Sequence, residues 1–173
     1  AFPTETVYGL GANALDDRPV SAIFTAKDRP HRNPLIVHVH DQEEAGEIVN
    51  FNDIARELAR VFWPGGLTLV LPLREPSPLA LLVSGKLKTA AVRAPAHDIA
   101  RALVDAAGVP IAAPSANRSG RLSPTTAEAV MEDLGGRIDA ILDGGPCPFG
   151  IESSIVGFSR SEEHTSELQS QST

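Results

Sequence analysis

The chain has 173 residues, with 15 basic and 22 acidic side chains and a formal net charge of −7. Hydrophobic residues make up 42% and charged residues 21%, which excludes a disordered chain and predicts one domain of ordinary size. The single cysteine, Cys147, excludes an internal disulfide and predicts a cytoplasmic location. No apolar run approaches the ~18–20 residues of a membrane span. The acidic balance argues against non-specific coating of a nucleic acid.

Short β-branched segments bounded by Gly or Pro predict strands, and apolar residues three or four apart predict helices. In chain order, the predicted strands are Pro34–His40, Leu67–Leu73, Thr89–Arg93, Pro110–Ala113, Ala140–Leu142 and Ser154–Phe158. The predicted helices are Val20–Ala26, Asp41–Val49, Asp53–Phe62, Ala96–Ala107 and Thr125–Leu134. Because the two kinds of element alternate, we expect an α/β fold with helices covering a sheet.

Both ends of the chain differ from its middle. The chain opens directly into the apolar segment AFPTETVYGLGA, which predicts that its first element is missing. Residues 161–173 are SEEHTSELQSQST, a polar stretch that we expect to be disordered. It is either a natural linker or a non-native cloning product. We therefore expect a domain over residues 1–160, truncated at both ends.

The segment KDRPHRNPL (27–35) gathers three cations, Lys27, Arg29 and Arg32, just before a predicted strand. Pro30 and Pro34 make a helix unfavourable there, so the segment is expected to be extended and stiff. Arginine forks and a lysine charge suit the oxygens of a phosphate or carboxylate ligand. A solvated charge cluster is the alternative interpretation.

Two further loops combine small and polar residues. PIAAPSANRSG (110–120) leaves a predicted strand, and its serine and asparagine side chains can approach a ligand at a strand end. GGPCPFGIESSIVG (144–157) places hydroxyl groups beside a glycine-rich turn. Each loop could equally be a structural turn, and neither contains a Walker or GxGxxG motif.

Histidine and threonine pairs at alternate positions give weaker signals. His38 and His40 share a face of a predicted strand, where one of them could line a polar pocket, whereas a zinc site lacks a third ligand. Thr4, Thr6 and Tyr8 would also share a face if their segment is a strand. Such hydroxyl groups suit a small polar molecule, or an ordinary strand surface.

Six motifs, taken together and in order, resemble the YrdC-like family of threonylcarbamoyl-AMP synthases over nearly all of residues 1–160. They are FPTETVYGLGA (2–12), KDRPHRNPLIVHV (27–39), PGGLTLVL (64–71), TAAVRAP (89–95), PSANRSG (114–120) and ESSIV (152–156). The resemblance implies a YrdC-like twisted, open, mixed sheet with helices and a concave basic cavity.

The activity that the resemblance implies joins L-threonine, bicarbonate and ATP, with Mg²⁺ accompanying ATP, into L-threonylcarbamoyladenylate and pyrophosphate. The product would supply the t6A modification of tRNA through downstream tRNA threonylcarbamoyl-transfer proteins. By matching motif positions, the threonine side would be lined by Thr6, His38, Arg93, Ala113 and Ser153. ATP would be contacted by Lys27, Arg29, Asn33, Thr89, Ser115 and Ser123. Lys27 and Arg29 would be catalytic, because fixed cations stabilise the leaving pyrophosphate.

The chain departs from the family pattern in two places. Ser153-Ser154 stands where the family usually has Ser-Thr, and an arginine expected about a dozen residues later is replaced by the polar tail. We therefore expect this chain to be weakly active or inactive. Two other functions stay open, a double-stranded RNA-binding module and a YrdC-like carbamoyltransferase domain.

Overall fold

The computed structural model of the chain describes residues 1–158. The tail expected at 161–173, the domain end expected at residue 160 and the place of the lost arginine lie outside these residues. In chain order, the elements are β1 (Ala12–Asn13), α1 (Asp17–Lys27), β2 (Ile36–His38), α2 (Gln42–Gly46), α3 (Asp53–Phe62), β3 (Leu67–Pro72), β4 (Thr89–Arg93), α4 (Asp98–Ala107), β5 (Ile111–Ala112), α5 (Ala127–Leu134) and β6 (Ser154–Gly157).

Six strands form one open mixed sheet in the order β1-β5-β2-β4-β3-β6. The pairs β2–β4 and β3–β6 are parallel, and the other three neighbouring pairs are antiparallel. Apolar side chains on the inner strands, such as Val37, Leu69 and Val92, are completely buried. The α/β class and the mixed sheet expected from the sequence are confirmed.

Helix starts follow the capping residues in the sequence. Asp41 accepts a hydrogen bond from the backbone N–H of Glu44 at 3.0 Å, and Thr126 accepts one from that of Ala129 at 3.2 Å. Such bonds satisfy N–H groups that lack partners in the first helical turn. The predicted bounds are correct for α3 and β4.

One predicted strand is absent from the described structure. Residues 140–142 do not form a strand, because their backbone bonds reach only Ala1, at 2.6 and 2.9 Å. Residues 4–8 form a tight turn instead of a strand. Thr4 causes this turn, since its hydroxyl accepts from the N–H groups of Thr6 and Val7 and donates to the Val7 carbonyl at 2.7 Å. Such local bonds replace ladder bonds.

Helix α3 turns its small residues toward the sheet. Ala55 and Ala59 are buried, whereas Ile54, Val61 and Phe62 are each more than half exposed. The apolar spacing in this segment therefore predicts the helix correctly but does not identify its buried face. Across residues 1–158, no helix combines the length and the apolar character needed to cross a bilayer.

Candidate functional site

A small cleft lies over the centre of the sheet. It is lined by residues from five separate parts of the chain: Thr4, Thr6, Val7, Tyr8, Gly9, Ile36, His38, Arg93, Ala113, Pro114, Ser115, Glu152 and Ser153. All five residues expected on the threonine side are in this lining, together with Ser115 from the ATP side.

The parallel pairing of β2 and β4 places the two central side chains of the cleft. His38 and Arg93 are register partners at the carboxyl ends of these strands. Paired residues of neighbouring strands point to the same face of a sheet. The imidazole and the guanidinium group therefore meet on one face although 55 positions separate them in the chain.

Arg93 is held by three acceptors. Its Nη2 donates to Glu5 Oε1 at 2.6 Å, its Nη1 to Thr6 Oγ1 at 3.0 Å, and its Nε to the Gly65 carbonyl at 3.2 Å. The side chains of Arg93 and Glu5 are 4% and 7% exposed. Buried charges of this kind are stable only when they are paired and hydrogen-bonded. The guanidinium group is thus fixed in orientation at the floor of the cleft.

Glu5 also binds the start of helix α4. Its Oε2 accepts from the backbone N–H groups of Ala96 and His97 at 3.1 and 3.3 Å. Burial raises the pKa of Glu5, but the charge and hydrogen bonds of Arg93 outweigh burial, so the pKa lies below its ordinary value. No sequence motif singled out Glu5. It could have been recognised as an acidic residue in an otherwise uncharged, apolar segment, because a buried carboxylate requires a cationic partner elsewhere in the chain.

His38 is a neutral imidazole in this environment. Burial, and then the charge of Arg93, lower its pKa to about 3. Its ring meets that of Phe2 edge-on at 5.9 Å, and its Nδ1 has no hydrogen-bond partner within residues 1–158. The sequence prediction that one histidine of the pair lines a polar pocket is correct for His38. His40 instead lies near the surface against Asp105.

Ser153 reaches the cleft from the entrance of β6. Its Oγ accepts a hydrogen bond from the hydroxyl of the completely buried Thr68 at 2.9 Å. Thr68 was not predicted as a site residue. A threonine inside the apolar strand LTLVLP is the signal, because a buried hydroxyl needs a partner.

Lys27 lies beneath the loop that follows β5. Its side chain is 1% exposed, and Nζ donates to the backbone carbonyls of Ser115 and Asn117. Burial, and then the nearby charge of Arg29, lower its pKa to about 8. The ammonium group therefore supports Ser115 from below while adding positive charge next to the cleft.

The remaining residues of the expected ATP side lie around this cleft and not in its lining. Ile36 of β2 pairs with Ala91 of β4, so Thr89, two residues earlier in β4, lies beside Pro34. Four positions separate Thr89 from Arg93, which is about 13 Å along the strand. Arg29 donates to the carbonyls of Asn33 and Pro34 at 3.4 and 3.0 Å. Thr89 is thus at the amino end of β4, whereas Arg29 is near the cleft: burial lowers its pKa, and the charge of the cleft residue Glu152 opposes that change.

Ser123 is connected to the cleft through Glu152. Its hydroxyl donates to Glu152 Oε1, and Glu152 is the carboxylate residue of the described cleft lining. Within the described part of the chain, no group of three His, Cys, Asp or Glu residues could hold a metal ion. The buried Cys147 has its pKa raised by burial, which disfavours the reactive thiolate.

The fold and the cleft define a class of α/β domain with a small polar ligand site over an open mixed sheet. Comparison with family models identifies the class: the Sua5_yciO_yrdC model, described as "Telomere recombination", matches residues 1–167, and the chain belongs to this family. The family resemblance expected from the six motifs is confirmed.

Individual relatives share about half of the chain's residues. The threonylcarbamoyl-AMP synthases of Pyrococcus abyssi and Bacillus subtilis are 52% and 51% identical to it over 157 residues, which is 90% of this chain. The crystal structure of P. abyssi Sua5 complexed with L-threonine matches 97% of the chain with a TM-score of 0.89 and 49% identity, and 48% of the Sua5 chain is covered. The chain spans about half the length of these relatives, 46% and 45% for the two synthases.

Proposed function

We propose that this protein is an L-threonylcarbamoyladenylate synthase, which forms its product and pyrophosphate from L-threonine, bicarbonate and ATP. One observation carries the proposal. The five residues expected on the threonine side come from five separate parts of the chain and line one cleft. Relatives 51–52% identical bear the name threonylcarbamoyl-AMP synthase, and a similar structure is a complex with L-threonine.

The polar groups of the cleft suit an amino acid with a side-chain hydroxyl. Arg93 supplies a fixed positive charge for the carboxylate, and Thr6 and Ser153 offer hydroxyl groups. His38 is neutral above about pH 3, so its ring can donate or accept one hydrogen bond without adding charge. Ala113 leaves space at the wall of the cleft. In this proposal, threonine lies over the carboxyl ends of β2 and β4.

ATP would extend from the cleft toward the amino ends of the same strands. Ser115 and Ser123 would flank the α-phosphate side, and Arg29, Asn33 and Thr89 the far side. The threonine amine and bicarbonate form a carbamate, with a new N–C bond and loss of water. A carbamate oxygen then attacks the α-phosphorus and forms the new P–O bond, and pyrophosphate leaves with the electrons of the broken P–O bond. Lys27 and Arg29 would stabilise the charge that develops on pyrophosphate.

Mg²⁺ fits this arrangement as an ion carried by the phosphates. Protein-bound Mg²⁺ commonly uses one or two carboxylates and completes its shell with substrate phosphates and water. Glu152 offers one such carboxylate next to Ser123. When bound, the ion would neutralise phosphate charge.

The product is an activated threonylcarbamoyl group, which we propose is passed to tRNA for the t6A modification by downstream tRNA threonylcarbamoyl-transfer proteins in the cytoplasm. Direct contact with tRNA or double-stranded RNA would be limited to the cleft region. A net charge of −7 opposes a broad RNA-binding surface.

Calorimetry with the chain tests the proposal. We expect both L-threonine and ATP to bind. Arg29→Ala should lower the affinity for ATP at least tenfold and change the affinity for L-threonine less than twofold. Arg18→Ala, at the other end of α1, serves as the matched control. Incubation with all three substrates and mass spectrometry for the adenylate tests the chemistry; we expect little or no adenylate from this chain, and abundant product would contradict its expected weak activity. Failure of both L-threonine and ATP to bind would contradict the proposal.

A further inference from the structure

The loop of residues 114–121 connects β5 toward α5 and carries Ser115 to the cleft. Apart from a single bridge between Gly9 and Ser115, it has no regular secondary structure. Its conformation therefore depends on contacts from neighbouring elements. Helix α1 makes the first set, since Lys27 donates to two carbonyls of the loop and its own carbonyl accepts from the Ser119 N–H at 2.8 Å.

Helix α5 makes a second set of contacts, through Asp133. Its Oδ2 accepts from the backbone N–H of Arg118 at 2.7 Å, and its Oδ1 accepts from Nη1 of Arg121 at 2.7 Å. The Arg118 guanidinium group lies 3.7 Å away. The Asp133 side chain is only 10% exposed. One carboxylate thus binds the backbone of the loop and also pairs with Arg121, while Arg118 lies close by.

Asn117 closes the turn that Asp133 holds. Its Nδ2 donates to the carbonyls of Arg118 and Arg121 at 3.0 and 2.7 Å. Asn117 is 6% exposed, and its Oδ1 has no hydrogen-bond partner among the described residues. The orientation of this amide is therefore set by the same two residues that Asp133 binds.

The two arginines of the loop are outside the described lining of the cleft. The sequence made this loop a candidate ligand segment because of its serine and asparagine residues, and it also contains Arg118 and Arg121. In the structure, both face Asp133, on the α5 side of the loop. Asp133 itself is outside the described lining of the cleft.

We propose that Asp133 is a positioning residue, which fixes the 114–121 loop so that Ser115 faces the nucleotide side of the cleft. The carboxylate acts through the Arg118 peptide and the Arg121 side chain and does not touch a substrate. An unrestrained loop would sample many backbone conformations, and ligand binding would have to order it. The nucleotide part of this inference rests on the proposed function, whereas the ordering of the loop does not.

Hydrogen–deuterium exchange of the ligand-free chain tests the ordering directly. In Asp133→Ala, we expect the amides of Arg118 and Ser119 to exchange at least tenfold faster, with exchange in β4 unchanged. Asp133→Asn keeps an oxygen for the Arg118 N–H, so it should preserve most of the protection. Glu132→Gln, an exposed neighbour on α5, is the matched control and should match the wild type.

Calorimetry with ATP and L-threonine gives the second readout. Asp133→Ala should lower the affinity for ATP about tenfold and change the affinity for L-threonine less than twofold. Asp133→Asn should retain most of the ATP affinity. Unchanged loop exchange in Asp133→Ala would overturn the inference. Equal weakening of both ligands together with a lower melting temperature would also overturn it, since that pattern indicates a general structural role. If the wild type binds neither ligand, the proposed function fails, and the exchange result alone decides the role of Asp133.

Discussion

At the scale of single residues, the pair formed by Glu5 and Arg93 determines the geometry of the cleft. Both side chains are buried, and their oxygen and nitrogen atoms lie 2.6 Å apart. Glu5→Gln would leave the guanidinium group buried without a counter-charge, and we expect it to lower the free energy of unfolding by about 3 kcal/mol. Urea denaturation measures the change. Glu43→Gln, on the exposed surface of α2, should change stability by less than about 0.5 kcal/mol.

The double variant Glu5→Gln/Arg93→Met separates the pair from its surroundings. Because it removes both charges, it should be more stable than Glu5→Gln alone. If Glu5→Gln has wild-type stability, the buried ion pair does not hold the turn, and the importance assigned to Glu5 is wrong.

His38 makes the stability of the domain depend on pH at the residue scale. Burial and Arg93 lower its folded-state pKa to about 3, compared with 6.5 for the unfolded chain. Between these values the unfolded state binds the proton, so folding is stabilised above pH 6.5 and loses stability as the pH falls. Between pH 6.5 and pH 5, the free energy of unfolding should fall by about 1.5–2 kcal/mol more in the wild type than in His38→Gln. Equal slopes in both proteins, by urea denaturation, would contradict a neutral buried His38.

At the scale of elements, the turn between α3 and β3 supports Arg93 through its backbone. Gly65 donates to the Ala94 carbonyl at 2.8 Å and accepts from Arg93. A Cβ at this position would lie 2.4 Å from the Phe62 carbonyl oxygen. We expect Gly65→Ala to lower the free energy of unfolding by about 2 kcal/mol and to weaken L-threonine binding, because the turn must move.

The control is Gly46→Ala, where a Cβ has open space; it should be neutral or stabilising by up to about 1 kcal/mol. A folded Gly65→Ala with unchanged threonine affinity would contradict this role.

Elements with local signals were predictable from the sequence, and elements defined by long-range pairing were not. The bounds of α3 and β4 follow from periodicity and caps. The two-residue strand β1 was missed, because Ala12 and Asn13 have no strand pattern and are in a strand only through their pairing with β5. Residues 4–8 form a turn and not a strand because the Thr4 hydroxyl accepts hydrogen bonds from the local backbone.

At the scale of the whole molecule, the cleft could be expected only through the family resemblance. Composition and spacing selected Lys27 and the 114–120 loop as separate candidates, but no local pattern shows that Lys27 donates to the carbonyls of that loop. The partners Glu5 and Asp133 were missed for the same reason, since each contributes through residues at least 12 positions away.

The net charge of −7 means that an anion can bind only where the local charge is reversed. Lys27 contributes to that reversal as long as it is protonated, and its pKa of about 8 lies within reach of ordinary buffers. Above pH 8 the free protein loses this charge, whereas bound phosphate favours the ammonium form, so ATP binding should take up a proton. We expect ATP affinity to fall up to about tenfold from pH 7 to pH 9.

Calorimetry in buffers of different ionisation enthalpy would measure both the proton uptake and the change in ATP affinity. Lys27→Met should remove this pH dependence, and Lys88→Met, exposed before β4, should retain it. An unchanged pH profile in Lys27→Met would show that another group titrates.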